Sequence, residues 1–192
     1  MRLIQKLLIG TVALCMGAAA MAATIDIAGV KVEDKNKIAG VDVPLNGAGI
    51  RVKFFKIYVG ELYTSKKVHT LEELVAAPGP KRLRMTFLRD IDPTSFGRLL
   101  TKGVQDNVPK EQLSRMVPGL IRMGEIFANN KSLPVGSVIT NDWIPGTGMV
   151  TTVNGKSQGA PFDEDFFRGF MAIWFGQNPG DWKLKDAMLD TK

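Results

Sequence analysis

Within the stretch from Leu45 to Tyr63, Arg51, Lys53 and Lys56 are interleaved with Phe54, Phe55 and Tyr58. A guanidinium at the mouth of an apolar cleft can hold a carboxylate through two parallel hydrogen bonds, which a point-charged ammonium does not match. Arg51 is therefore the residue from which anion recognition would be built. The same side chains also read as the solvated edge of a sheet, and the local pattern leaves both readings open.

Other chemistries are poorly supplied. His69 is the sole histidine and Cys15 the sole cysteine. A Ser-His-Asp triad would have to pass through His69, which follows Lys66-Lys67 in what reads as an exposed loop before a short helix, so a solvated imidazole is expected. Zinc sites of the common kinds need more His or Cys, and no metal or other cofactor is expected. Gly47-Ala48-Gly49 is not followed by a helix and fits neither a dinucleotide fingerprint nor a phosphate loop; it reads as a strand-to-strand turn. Asp163, Glu164 and Asp165 read as the acidic start of a helix rather than as paired catalytic carboxylates. No bare motif identifies an enzyme.

The chain opens with Arg2 and Lys6, an apolar run from Leu7 to Ala20, and small residues in Ala20-Met21-Ala22. That is the three-part layout of a secretory signal. The run falls short of the roughly 20 residues a membrane span needs, and Asp26, Lys31 and Glu33 follow at once. Residues 1–22 are therefore expected to be cleaved, with no membrane span left afterwards. Cys15 is preceded by Leu14 rather than a small residue and lies inside the apolar run, so it is expected to leave with the leader rather than carry a lipid. The remaining domain would then have no cysteine, and its core alone must hold it. Losing the two basic residues Arg2 and Lys6 takes the formal net charge from +6 to +4. That mild excess suits anionic ligands or surfaces. Without a dense basic block, nucleic acid is not expected as a partner.

No linker or repeat divides residues 23–192, which read as a single domain. Near-alternating Ile25, Ile27, Val30 and Val32, with a slip at Ala28-Gly29, predict a hairpin or bulged strand. Strands are predicted over Ile38 to Leu45 and Ile50 to Tyr63. Lys81 to Arg89 alternates, with Leu83, Met85 and Phe87 facing one way and Arg82, Arg84 and Thr86 the other. Asp92-Pro93 then caps a helix whose stripe is Phe96, Leu99, Leu100 and Val104. A longer helix follows Pro109, striped by Leu113, Met116, Val117, Leu120, Ile121, Gly124 and Phe127, and Pro118 should kink or divide it. Strands return at Ser137 to Ile144 and Met149 to Val153, with Asn154-Gly155 a strong hairpin turn. The last main helix starts near Asp163 to Asp165, carries Phe166, Phe167, Phe170, Met171 and Trp174, and stops at Gly176 with Pro179 beyond. This order predicts an α+β fold, a largely antiparallel sheet with helices layered on one face.

Three segments of this sequence resemble the chalcone isomerase-like family, in its secreted bacterial branch. Leu45 to Tyr63 is similar to the family's Gly-Ala-Gly-x-Arg turn and the Phe- and Lys-rich strand after it. Met85-Thr86-Phe87-Leu88-Arg89-Asp90-Ile91 is similar to the segment that enters its first helix. Phe166 to Leu184, with Ile173-Trp174-Phe175-Gly176 and Pro179, is similar to its closing helix and exit. Ile144 to Gly148 and Val153 to Lys156 extend the likeness over nearly all of residues 40–190. The resemblance implies an open-faced β-sandwich, an antiparallel sheet with helices packed on one side and a ligand cleft between them. It also implies one of two activities, since the family includes isomerases that close a chalcone to a flavanone and relatives that bind fatty acids without catalysis.

Carried over residue by residue, the resemblance makes Arg51 the group that meets a fatty-acid carboxylate, or that stabilises the developing charge of a phenolic substrate in an isomerase. The isomerases' strand threonine falls at Ile57 or Tyr58, and the binding relatives are similar in carrying a tyrosine, so Tyr58 would be a second donor. Residues 51 and 58 have opposite parity and would face opposite sides of one unbroken strand. A bulge, or an Arg51 still within the turn, is thus required. Arg98 stands where the isomerases have a helix lysine, their second-helix tyrosine has no counterpart around Gly124 to Phe127, and Ile173 replaces a polar residue of their closing helix. The expected site is Arg51, Tyr58 and Arg98 with Phe170 and Trp174 in an apolar wall. The expected function is a non-catalytic, periplasmic binding protein for a small amphipathic anion such as a fatty acid. An intramolecular lyase, and a protein-contact module whose cleft is filled, are the alternatives.

Overall fold

Residues 23–191 are described by a computed structural model; the expected leader, its cleavage point after Ala22 and Cys15 lie outside the described residues. The chain begins with a separate hairpin, β1 (Thr24–Ile27) and β2 (Val30–Glu33). Seven further strands form one antiparallel sheet in sequence order: β3 (Lys35–Ile38), β4 (Val41–Val52), β5 (Lys56–Thr64), β6 (Lys81–Phe87), β7 (Val138–Ile144), β8 (Gly148–Val153) and β9 (Lys156–Ser157). Helix α1 (Leu71–Ala76) follows β5, α2 (Pro93–Gln105) and α3 (Lys110–Ala128) lie between β6 and β7, and α4 (Glu164–Phe175) and α5 (Trp182–Leu189) close the chain. The fold is the predicted α+β class, a curled antiparallel sheet with helices against one face.

Local signals explain much of this. Asp92, with Pro93 behind it, accepts a hydrogen bond from the Ser95 N–H at 2.8 Å and starts α2; Asp163 does the same for α4 through Phe166. Asn154-Gly155 has both residues at positive φ, as the tight hairpin turn requires. The alternation in β6 is realised: Leu83, Met85 and Phe87 are buried in the main core. On the other face, Arg82 holds Asp142 through two bonds of 2.7 and 2.6 Å, and Arg84 lies 3.6 Å from the buried Glu61.

Three expectations are corrected. The predicted strand from Ile38 to Leu45 contains a chain reversal at Ala39-Gly40, both at positive φ, which separates β3 from β4. Alanine in that conformation is uncommon, so no local signal announces the turn. The predicted turn at Gly47-Ala48-Gly49 lies inside β4, and the reversal falls instead at Lys53–Phe55. The glycines serve packing: a Cβ on Gly47 would sit 2.2 Å from the Ala187 carbonyl oxygen, and one on Gly49 2.7 Å from the Ala187 Cβ. Helix α5 therefore rests directly on bare strand backbone. Finally, of the kink or division expected at Pro118, the division does not occur, and α3 runs through the proline as one helix. The proline forgoes one backbone bond, while Met116, Met123, Ile126 and Phe127 bury the helix against its neighbours; Val117 and Ile121, placed in the predicted stripe, are exposed.

Helix α4 is the centre of the core: from Phe166 to Phe175 every residue is buried apart from Arg168. Its aromatic residues therefore pack on all sides of the helix rather than along one stripe.

Candidate ligand-binding site

The reversal at Lys53–Phe55 decides the geometry of the site. Arg51 in β4 and Tyr58 in β5 are directly opposed across the antiparallel pair, with a register shift just beyond, between Arg51 and Val52. Opposed residues project to the same face. The parity conflict of a single strand therefore disappears, because the two residues are on different strands.

Both line a cleft of about 460 Å³ between this end of the sheet, α2, the end of α4 and the segment leading into α5. Its apolar lining includes Ile57, Ile91, Phe96, Leu100, Ile173 and Trp174. The volume and lining fit the range of small-molecule sites, roughly 300–1,000 Å³.

Tyr58 is buried, and its hydroxyl accepts a hydrogen bond from the Trp174 Nε1–H at 2.8 Å. Burial pushes the phenol pKa up to about 12, against the opposing effects of the Trp174 bond and the Arg51 charge. At neutral pH the hydroxyl keeps its proton and can donate it.

Arg51 is held from one side. Its Nη1 donates to the Val52 carbonyl at 3.3 Å and lies 3.2 Å from Asp181 Oδ2. The two side chains are only 21% and 11% exposed, so this pair is partly desolvated. Among the described residues Nε and Nη2 have no hydrogen-bond partner, and this is the edge with which a guanidinium grips a carboxylate in parallel. Gly180 lies against the face of the guanidinium: a Cβ there would be 3.5 Å from Nη2, 3.7 Å from Cζ and 3.9 Å from Nε. Gly180 is also part of the cleft lining, so a larger side chain there would take up cleft space next to the guanidinium.

Asp181 organises this corner. Oδ2 accepts from the Val52 N–H at 3.0 Å, and Oδ1 accepts from the Leu184 N–H at 3.2 Å, capping α5. Burial tends to raise its pKa, but those two backbone bonds and Arg51 outweigh it and hold the carboxyl below the usual range. Sequence reasoning missed Asp181, although Pro179-Gly180-Asp181 is a helix-start signal that would have placed it at the head of α5. Lys53 and Arg89, also missed as site residues, stand in the lining.

The remaining expected residues divide. Trp174 lines the cleft, whereas Phe170 lies behind it, fully buried, with its ring 5.3 Å from that of Trp174 in an edge contact. Arg98 lies outside the cleft. Helix α2 turns Ser95, Leu99 and Leu100 toward it and Thr94, Arg98, Thr101 and Gln105 toward a separate groove of about 260 Å³, with Lys102 lining both. There the Arg98 Nη2 donates to Ser95 Oγ at 2.8 Å. The helical period puts Arg98 and Leu99 about 100° apart, which is enough to send the arginine to another face.

The acids of the lining already have work. Asp90 accepts from the Val135 N–H, Asp92 caps α2, Asp106 pairs with Lys102, and Asp181 is held as above. His69 lies elsewhere, bonded through Nδ1 to the Leu189 carbonyl. Among the described residues no group of three or more His, Cys, Asp or Glu is gathered as a metal would require.

Fold and site together define an α+β protein whose curled sheet and covering helices enclose a cleft that joins a guanidinium and a phenol to an apolar wall, with charged residues elsewhere in its lining. The chain belongs to the chalcone isomerase-like family, whose sequence profile matches residues 23–190. Among solved structures it is similar to a fatty-acid binding protein of Arabidopsis thaliana, at 13% identity and a TM-score of 0.68 over 88% of this chain and 97% of that one. At that identity the likeness is one of fold. No curated protein sequence matches the chain.

Proposed function

We propose that the protein is a non-catalytic binding protein for an amphipathic anion of the fatty-acid class. The observation that carries this is the register pairing of Arg51 with Tyr58 in a cleft whose apolar wall is Ile57, Ile91, Phe96, Leu100, Ile173 and Trp174. The free Nε/Nη2 edge of Arg51 would take the carboxylate, the Tyr58 hydroxyl would donate a further bond, and the chain would lie along Phe96, Leu100, Ile173 and Trp174. The name of the Arabidopsis protein of the same fold adds support.

Asp181 and Trp174 act as positioning residues in this reading, one holding the guanidinium and the other orienting the phenol. A cyclisation site has less behind it, because Ile173 is apolar where the isomerases are polar and the lining carboxylates are committed to backbone or lysine partners.

We further propose that residues 1–22 are removed on export and that the protein works in the periplasm. The family match begins at residue 23, where the expected cleavage falls, and no helix among the described residues is long and apolar enough to cross a membrane.

Native mass spectrometry of the gently purified protein, with solvent extraction of anything it carries, tests the ligand class; fatty-acid titration of Arg51→Ala tests the site. Each charge-assisted hydrogen bond lost is worth about 1.5–3 kcal/mol, so the variant should bind about 10- to 100-fold more weakly with its fold intact. Equal affinity in parent and variant would remove Arg51 from the site.

A further inference from the structure

The reversal between β4 and β5 exposes apolar surface that the fold does not need there. Phe54 is 86% exposed and Phe55 66%, at a turn closed by the Lys53 N–H donating to the Phe55 carbonyl at 3.2 Å. Turns normally carry Gly, Asn, Asp, Ser or Pro. Val52 beside the turn is exposed too, and Leu99, in the lining of the cleft that Lys53 of the turn also lines, is 61% exposed.

Three exposed cations stand around this patch. Lys53, Lys56 and Arg89 are exposed, and among the described residues none of them is in an ion pair. Arg89 lies over the Phe55 ring, its guanidinium carbon 4.9 Å from the ring centre. Of the nearby acids, Asp181 and Asp106 are paired with Arg51 and Lys102, while Asp90 and Asp92 accept backbone N–H groups and keep their charge.

We propose that this turn docks the protein on an anionic lipid bilayer, with Phe54 and Phe55 entering the boundary between headgroups and acyl chains and Lys53, Lys56 and Arg89 meeting lipid phosphates. Aromatic rings suit that boundary because one end of their surroundings is wet and the other is hydrocarbon. A protein partner would equally cover two phenylalanines. A tip of two adjacent exposed rings with Lys53, Lys56 and Arg89 unpaired beside it, next to a cleft that Lys53 and Arg89 also line, fits a charged hydrocarbon surface better. Docked in this way, the mouth of the cleft would face the layer in which amphipathic anions dissolve. The inference stands on the turn itself and goes beyond the ligand assigned to the cleft.

The test is partition of the purified protein onto vesicles of phosphatidylcholine alone and of phosphatidylcholine with phosphatidylglycerol, measured by flotation. The parent should bind the anionic vesicles preferentially, and added salt should weaken binding. Phe54→Ser with Phe55→Ser should reduce partition about tenfold or more through lost apolar burial. Lys56→Gln should reduce it about fivefold, the effect of one basic residue near an anionic surface. Any contribution of the leader is common to parent and variants, so the difference reads the turn. Fatty-acid titration without vesicles should give the same affinity in parent and double phenylalanine variant, which separates docking from the ligand reading. Equal partition of parent and double variant would overturn the proposal. So would an absence of vesicle binding together with a protein cross-linked through position 54.

Discussion

Asp181 joins the arginine of the site to the last helix, and its removal should be felt in both stability and acid sensitivity. Asp181→Ala deletes the N-cap of α5, worth about 1 kcal/mol, and the acceptor for the Val52 N–H, also about 1 kcal/mol. It further deletes the partner of Arg51 in a pair that is partly screened by water, worth at most about 1 kcal/mol. The expected loss at pH 7 is about 2–3 kcal/mol, read by urea unfolding as a lower midpoint at unchanged slope. The pH dependence follows from the depressed pKa of the folded state. A carboxylate held below its unfolded value of about 3.9 stabilises the fold above that pH, and the contribution is lost as pH falls through the folded value. The gap between parent and variant should therefore be full at neutral pH and narrow below about pH 4. A gap under about 0.5 kcal/mol at pH 7, ordinary for surface substitutions, or one that persists undiminished into acid, would refute this account of Asp181.

Two further perturbations probe the cleft. Gly180→Leu should weaken fatty-acid binding about tenfold or more by filling cleft space against the face of the Arg51 guanidinium, while Gly180→Ala, whose Cβ makes only ordinary contact at 3.5 Å, should bind nearly as the parent does; equal binding by all three would move the carboxylate elsewhere. Tyr58, with its pKa raised to about 12 by burial, stabilises the fold below its unfolded value of 10.0, and this is lost as pH rises through about 12. Tyr58→Phe should accordingly show a smaller loss of stability over that alkaline range. At neutral pH it should be about 1–3 kcal/mol less stable, because the Trp174 Nε1–H loses its acceptor. Chemical unfolding at both pH values checks the pair.

Much of the fold and part of the site were legible from local signals. The alternation of Lys81 to Phe87, the caps Asp92 and Asp163, and the Asn154-Gly155 turn each act within a few residues, so a single pass along the chain finds them. Arg51 and Trp174 could be singled out from residue type, order and family likeness. The α+β class followed from the sequence of periods, two for strands and near 3.6 for helices.

What the chain alone did not determine depends on neighbours distant in sequence. Whether Gly47 and Gly49 make a turn or a bed for a helix was decided by α5, whose residues lie about 140 positions further on. Whether Arg51 and Tyr58 share a face was decided by the reversal at Lys53–Phe55, which turned an odd spacing into an opposed pair. Phe170 and Trp174 look alike as aromatic members of one buried helix, and only packing put the first behind the second. Asp181 reads locally as a helix cap; its hold on Val52, 129 residues earlier, exists only once the chain is folded. Sequence determined which backbone conformations were cheap and which side chains wanted burial, because those preferences are short-ranged. Tertiary structure decided which polar groups would meet, because a hydrogen bond needs two partners within about 3 Å, and nothing in the local pattern supplies the second.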